Sequence, residues 1–139
     1  MKDAVRLRAN HLCEYCHASE QWQYVQFTVD HIIPLTKGGI DKLENLALAC
    51  FHCNRQKSNK ISGTDPQTGK NTPLFNPRCD VWKDHFTWSS DSLQMIGLTA
   101  IGRATINALN CNRERLLLIR ASDRSVNRHP PINDPIQVL

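Results

Sequence analysis

Two Cys-x-x-Cys pairs, Cys13/Cys16 and Cys50/Cys53, constrain this chain more than any other feature in it. Paired thiolates on two tight turns present two sulfurs each to one side, which suits a tetrahedral zinc ion. Between Cys16 and Cys50 lie 33 residues, more than the commonest finger loops hold, so something folded must fit between the knuckles. Four sulfurs leave no open coordination position, so such a metal is structural. It would tie a first helix to a later one and supplement a thin core, because metal-binding energy is also folding energy. The competing reading of these cysteines, a redox protein, requires them to be free of zinc. Cys79 and Cys111 are left over and read as small apolar packing residues.

A length of 139 residues fits one domain, or a small core with an extension. Hydrophobic residues make up 40% of the chain, enough for a modest core that needs a staple. No apolar run approaches the roughly 20 residues of a membrane span, and the N-terminus lacks the apolar segment of a signal peptide. The expectation is a soluble, cytoplasmic protein. Seventeen Lys+Arg against thirteen Asp+Glu give a net charge of +4, which permits nucleic-acid binding without establishing it. The charge is uneven: Arg55, Lys57 and Lys60 stand close together, and Arg113, Arg115, Arg120, Arg124 and Arg128 face only Glu114 and Asp123.

Between and within the knuckles stand Asp30-His31-Ile32-Ile33-Pro34, Gly38-Gly39, Asp41, Asn45-Leu46 and Cys50-Phe51-His52-Cys53-Asn54-Arg55-Gln56-Lys57. These residue types suit metal-assisted hydrolysis, which needs a deprotonated water, an in-line approach and neutralisation of the leaving oxygen. The His31 imidazole can take the water's proton. The Asn45 carbonyl can accept from the other ring nitrogen and fix the tautomer. Asp30 and Asn54 offer hard oxygen ligands of the kind Mg²⁺ or Mn²⁺ takes. Each residue alone also has a bland reading, a structural hydrogen-bonder or a turn residue; their order between two knuckles favours catalysis.

Over about residues 6 to 60 this order closely resembles the HNH endonuclease family, whose pattern runs C-x-x-C, D-H-I-x-P, G-G, N-L, C-x-x-C-[HN]-x-x-K. The resemblance implies a ββα-metal core of α+β class that cleaves nucleic acid, most simply DNA, to 5′-phosphate and 3′-hydroxyl ends. It implies His31 as general base with Asn45 beside it, and a catalytic ion on Asp30 and Asn54. Zinc would sit on Cys13, Cys16, Cys50 and Cys53. Many members carry His where this chain has Asn54, which leaves the ion less tightly held; His52, inside the knuckle, is the alternative third residue. Arg55, Lys57 and Lys60 are expected to contact phosphate. The rival reading is a non-catalytic zinc-ribbon module that binds nucleic acid or regulates.

The residues divide into a core over 1–62, an extension over 63–128 and an extended tail over 129–139. The pattern predicts a helix from Lys2 to about His11, a strand over Gln23 to Ile33, a short apolar strand over Leu46 to Ala49 and a helix over Phe51 to Asn59. Ser62 to Pro77, rich in Pro and Gly, reads as a loop. Val81 to Trp88 and Leu93 to Leu98 read as a hairpin, followed by helices capped by Thr99 and Asn112. Parts of this second region resemble an extension found on bacterial HNH proteins. Trp82, Phe86 and Trp88 read as core there, and oligomeric state is open.

Overall fold

The structure is a computed structural model that describes residues 1–132 and 134. Helix α1 (Lys2–Arg8) buries Val5 and carries Arg6 and Arg8 in its last turn, where cations complement the helix dipole. Those arginines also work at long range. Arg8 donates to the carbonyls of Leu43 and Leu46 at 2.9 and 2.6 Å, and Arg6 to Phe27 O at 2.9 Å.

Strand β1 (Thr28–His31) pairs antiparallel with β2 (Leu46–Ala49), setting Asp30 opposite Ala47 and His31 opposite Leu46. Every residue of β2 is buried, and helix α2 (Phe51–Lys57) follows it directly. The strand expected over Gln23 to Ile33 is shorter because β2 offers only four partners. Its first residues lie outside the ladder, with the Phe27 amide donating to the Glu20 carboxylate at 2.8 Å.

The expected loop over 62–77 contains a hairpin, β3 (Ser62–Thr64) with β4 (Asn71–Pro73). Asp65 organises its turn, accepting from the Gln67 amide and the Thr68 hydroxyl at 3.0 Å each. The glycines and prolines that suggested a loop sit largely at this turn and at strand ends, where they cost little. Gly63 has a packing reason, since a Cβ there would stand 3.0 Å from Ala108 Cβ on the helix behind.

One helical turn, α3 (Trp82–His85), leads into β5 (Phe86–Trp88), which pairs with β6 (Met95–Gly97). The Thr99 hydroxyl accepts from the Gly102 amide and caps α4 (Ala100–Leu109) as its sequence suggests. Helix α5 (Glu114–Ser125) starts without a side-chain cap. Asn112 clamps β6 instead, accepting from Met95 N and donating to Met95 O at 2.8 Å each. The architecture is thus a small mixed α/β assembly of short antiparallel sheets.

A single hydrophobic cluster joins Val5, Tyr15, Phe27 and Leu48 to Phe75, Trp82, Phe86, Trp88 and Leu109. Trp82 donates through its indole to Tyr15 O at 2.9 Å and stacks on His17 with ring centroids 3.8 Å apart. Within the tail, the buried Asp134 carboxylate accepts from the Trp88 indole at 3.2 Å. The extended conformation expected beyond it, at 135–139 and at Asn133, lies outside the described residues. Cys111 is buried, but Cys79 is exposed at the surface and not a packing residue.

Candidate active site and metal centre

The first knuckle follows α1 through left-handed residues Asn10 and His11, and a Cys13 N to Ala18 O bond of 2.8 Å closes its turn. The second opens α2, where Cys50 is the N-cap and its sulfur accepts from the Cys53 amide. Glu14 stitches the two together: its amide and carboxylate pair with the carbonyl and amide of Leu48 on β2, 2.8 Å each.

All four sulfurs are buried and lie within 4.8 Å of one another. Cys16 and Cys50 Sγ stand 3.7 Å apart. A tetrahedral ion about 2.3 Å from each sulfur requires edges of roughly 3.8 Å, so the cluster has the right size for a zinc-type metal. Electrostatics agree with the geometry. Burial pushes the Cys13 thiol up, the neighbouring Cys111 thiol pushes Cys53 up, and a hydrogen bond from Cys13 pulls Cys16 down. Four such sulfurs cannot ionise together in a dry interior unless a cation balances them.

Across the β1–α2 seam, Asp30, His31 and Asn54 line one depression of about 300 Å³ with Pro34, Leu35, Thr36 and Ser58. His31 ends β1 with its side chain 32% exposed, and its Nε2 lies 2.9 Å from Asp41 Oδ1. The loop between them is held by Asn45. Its Oδ1 accepts from Ile33 N at 3.0 Å, and its Nδ2 donates to Ile33 O and Ile40 O at 2.9 and 2.8 Å. The expected contact from the Asn45 carbonyl to the His31 ring is therefore not made, because that oxygen is taken by backbone. Gly39 permits this clamp: a Cβ there would fall 1.7 Å from Ile33 O and 2.9 Å from Asn45 Nδ2.

Lys57 is the second correction. Expected at a phosphate-contacting surface, it is only 1% exposed, with Nζ 3.1 Å from Asp30 Oδ2 and 3.2 Å from His31 O. Its long stem reaches inward from α2 because the buried Asp30 carboxylate demands a partner. Arg55 and Lys60 do face solvent; Arg55 lies over the Phe51 ring at 5.9 Å and Lys60 bonds Gln56 O. His52 points away from the depression and bonds Leu109 O at 2.8 Å, fastening α2 to the end of α4.

Two participants escaped sequence reasoning. Asp41, ten residues after His31, was visible as a carboxylate beyond Gly38-Gly39 but carried no sign of its target. Tyr15, inside the first knuckle, donates its hydroxyl to Asp30 Oδ2 at 2.9 Å. Burial, then the Asp30 charge, hold its phenol well above the usual range, so it stays a neutral donor.

Residues 13–60 match the family model described as HNH endonuclease, a span that begins at the first cysteine and includes Asp30, His31, Asn45 and Asn54. This segment is an HNH domain. No curated protein and no solved structure matches the chain. The HNH domain thus combines a four-cysteine cluster placed to bind metal with a family whose members are generally nucleases acting on nucleic acid. Among the described residues no helix is long and apolar enough to cross a membrane.

Proposed function

We propose that the chain is a divalent-metal-dependent endonuclease of ββα-metal type that hydrolyses phosphodiester bonds, with DNA as the simplest substrate. The observation that carries this is the convergence of Asp30, His31 and Asn54 on one open depression from two different elements. His31 is the general base. With Nε2 engaged by the Asp41 carboxylate, Nδ1 is the ring nitrogen left to accept a proton from water. Asp41 orients the ring through that contact. Asn45 acts through the backbone, fixing the loop that carries Asp41 relative to His31.

Asp30 and Asn54 would be the oxygen ligands for Mg²⁺ or Mn²⁺, which when bound would supply charge neutralisation at the phosphodiester. Zinc on Cys13, Cys16, Cys50 and Cys53 is structural, and reduced thiols suit the cytoplasm. Arg55 and Lys60 meet the phosphate backbone. The competing reading is a non-catalytic zinc module, and Lys57 seated on Asp30 is the observation in its favour.

Plasmid nicking separates them. Native protein should nick with Mg²⁺ or Mn²⁺ and stop with chelator, while a folded, zinc-loaded His31→Ala variant should cleave roughly 10²–10⁴-fold more slowly. Equal rates in native and variant protein would leave the non-catalytic module standing.

A further inference from the structure

The carboxylate expected to hold the catalytic ion is already partnered, and on one side only. Tyr15 and Lys57 both address Asp30 Oδ2, at 2.9 and 3.1 Å. Oδ1 accepts from no described residue, yet it is not among the buried atoms stranded without a partner. Asp30 therefore offers a single oxygen to the depression.

Charge matters more than denticity. The depression contains one carboxylate, that of Asp30, beside the neutral donors Asn54, Thr36, Ser58 and Asn59. Asp41, outside the lining of the depression, is engaged by His31 and 64% exposed. Lys57 is almost wholly removed from water, so its ammonium cannot dissipate its charge into solvent. Asp30 and Lys57 together contribute no net charge to a cation arriving at Oδ1. Hard divalent ions are held by anionic oxygens, and a buried ammonium a few ångströms away repels them.

Resting on the endonuclease reading, we infer that Lys57 is an internal counter-cation that makes the divalent ion and nucleic acid bind together. Free protein holds the ion weakly because Lys57 cancels Asp30. The bound phosphodiester supplies the missing negative charge, so each ligand raises the affinity of the other by the same factor. Lys57 is thus a positioning residue, fixing Oδ2 and the His31 carbonyl while setting the charge of the site. Removing a residue with a merely structural role would loosen metal binding; removing this one should tighten it.

The test titrates Mn²⁺ by electron paramagnetic resonance against zinc-loaded protein in a His31→Ala background, with and without a short DNA duplex. Without DNA, Lys57→Met should bind Mn²⁺ about tenfold tighter or more than the parent, and Lys57→Arg should resemble the parent. In the parent, duplex should tighten Mn²⁺ by about 5- to 150-fold, and Lys57→Met should lose most of that gain. Tyr15→Phe, neutral for neutral, should stay within about threefold of the parent without DNA. The inference is overturned if folded Lys57→Met binds Mn²⁺ no tighter than the parent, or if Tyr15→Phe tightens it equally. Should Lys57→Met fail to retain zinc, equal Mn²⁺ affinity of the parent with and without duplex overturns it. Failure of the endonuclease reading looks different: no Mn²⁺ binds in any variant, with or without DNA, and both ideas fall.

Discussion

His31, Asp41 and Asn45 divide one task. In the proposed mechanism the imidazole does the chemistry and the carboxylate orients it, while the Asn45 amide holds the loop backbone at Ile33 and Ile40 between these two residues, whose side chains lie 2.9 Å apart. That division predicts different phenotypes. Asn45→Ala should destabilise the fold by about 1–3 kcal/mol, because it strands the backbone groups of Ile33 and Ile40 in a partly buried setting. Urea denaturation reads this directly, and an unchanged midpoint would mean that the clamp contributes nothing. Asp41 is exposed, so Asp41→Asn should leave the urea midpoint nearly unchanged and reduce the cleavage rate by less than His31→Ala does. A rate equal to that of the native protein would remove Asp41 from the mechanism. The role proposed for His31 is readable from Asp30-His31-Ile32, since an imidazole next to a carboxylate is a local motif. The role of Asp41 is not, because nothing in a single chain states which loop carboxylate reaches which ring.

Elements of the extension are fixed by ion pairs as well as by packing. Arg103 on α4 forks onto Asp65 at the turn of the β3–β4 hairpin, with bonds of 2.9 and 3.0 Å. This guanidinium holds the Asp65 carboxyl down to about 2, below the roughly 3.9 of an unfolded aspartate. The folded state therefore favours the ionised form. Its contribution to stability is complete above the unfolded value and disappears as pH falls from about 4 towards about 2. Native protein and Asp65→Asn should differ in thermal midpoint at neutral pH and converge in acid. Parallel melting curves across that window would show that the pair does not anchor the hairpin. The hairpin itself was hidden because a Pro/Gly-rich segment gives the same signal for a free loop and for short strands joined by a tight turn.

For the whole molecule, the cysteine cluster and the hydrophobic core are one structure. The indole of Trp82 caps the Tyr15 carbonyl between the first two cysteines, and Leu109 and Cys111 from the extension join Cys53 in the same buried cluster. Stripping metal with a strong thiol-competing chelator should lower the melting temperature of the entire chain in one transition, and re-adding zinc should restore it. Calorimetry that shows only part of the chain melting earlier would contradict this. Residues 1–62 alone should not form a stable zinc-loaded unit, because they would expose the apolar surface that Phe75, Trp82 and Phe86 now cover. A well-dispersed amide spectrum from that fragment would refute the shared core. Nucleic-acid affinity should also fall as salt rises, with Arg55→Ala and Lys60→Ala reducing the salt slope and Lys57→Ala leaving it nearly intact. An equal loss of slope in Lys57→Ala would mean that this buried lysine reaches phosphate after all.

Spacing located the cysteine cluster, and residue chemistry together with the family resemblance singled out Asp30, His31, Asn45 and Asn54 as candidates, because such motifs are local patterns. The sequence also located α1, β2, α2 and α4 through apolar periodicity and capping, with ends a few residues off where pairing partners ran out. Tertiary structure decided everything that depends on reach. It turned Lys57 inward onto Asp30, gave the Asn45 amide to the backbone instead of the imidazole, and supplied Tyr15 and Asp41 as partners. Burial is the physical reason. A charge or amide removed from water must find whichever partner the packed fold brings within about 3 Å, and that neighbour is set by the whole chain.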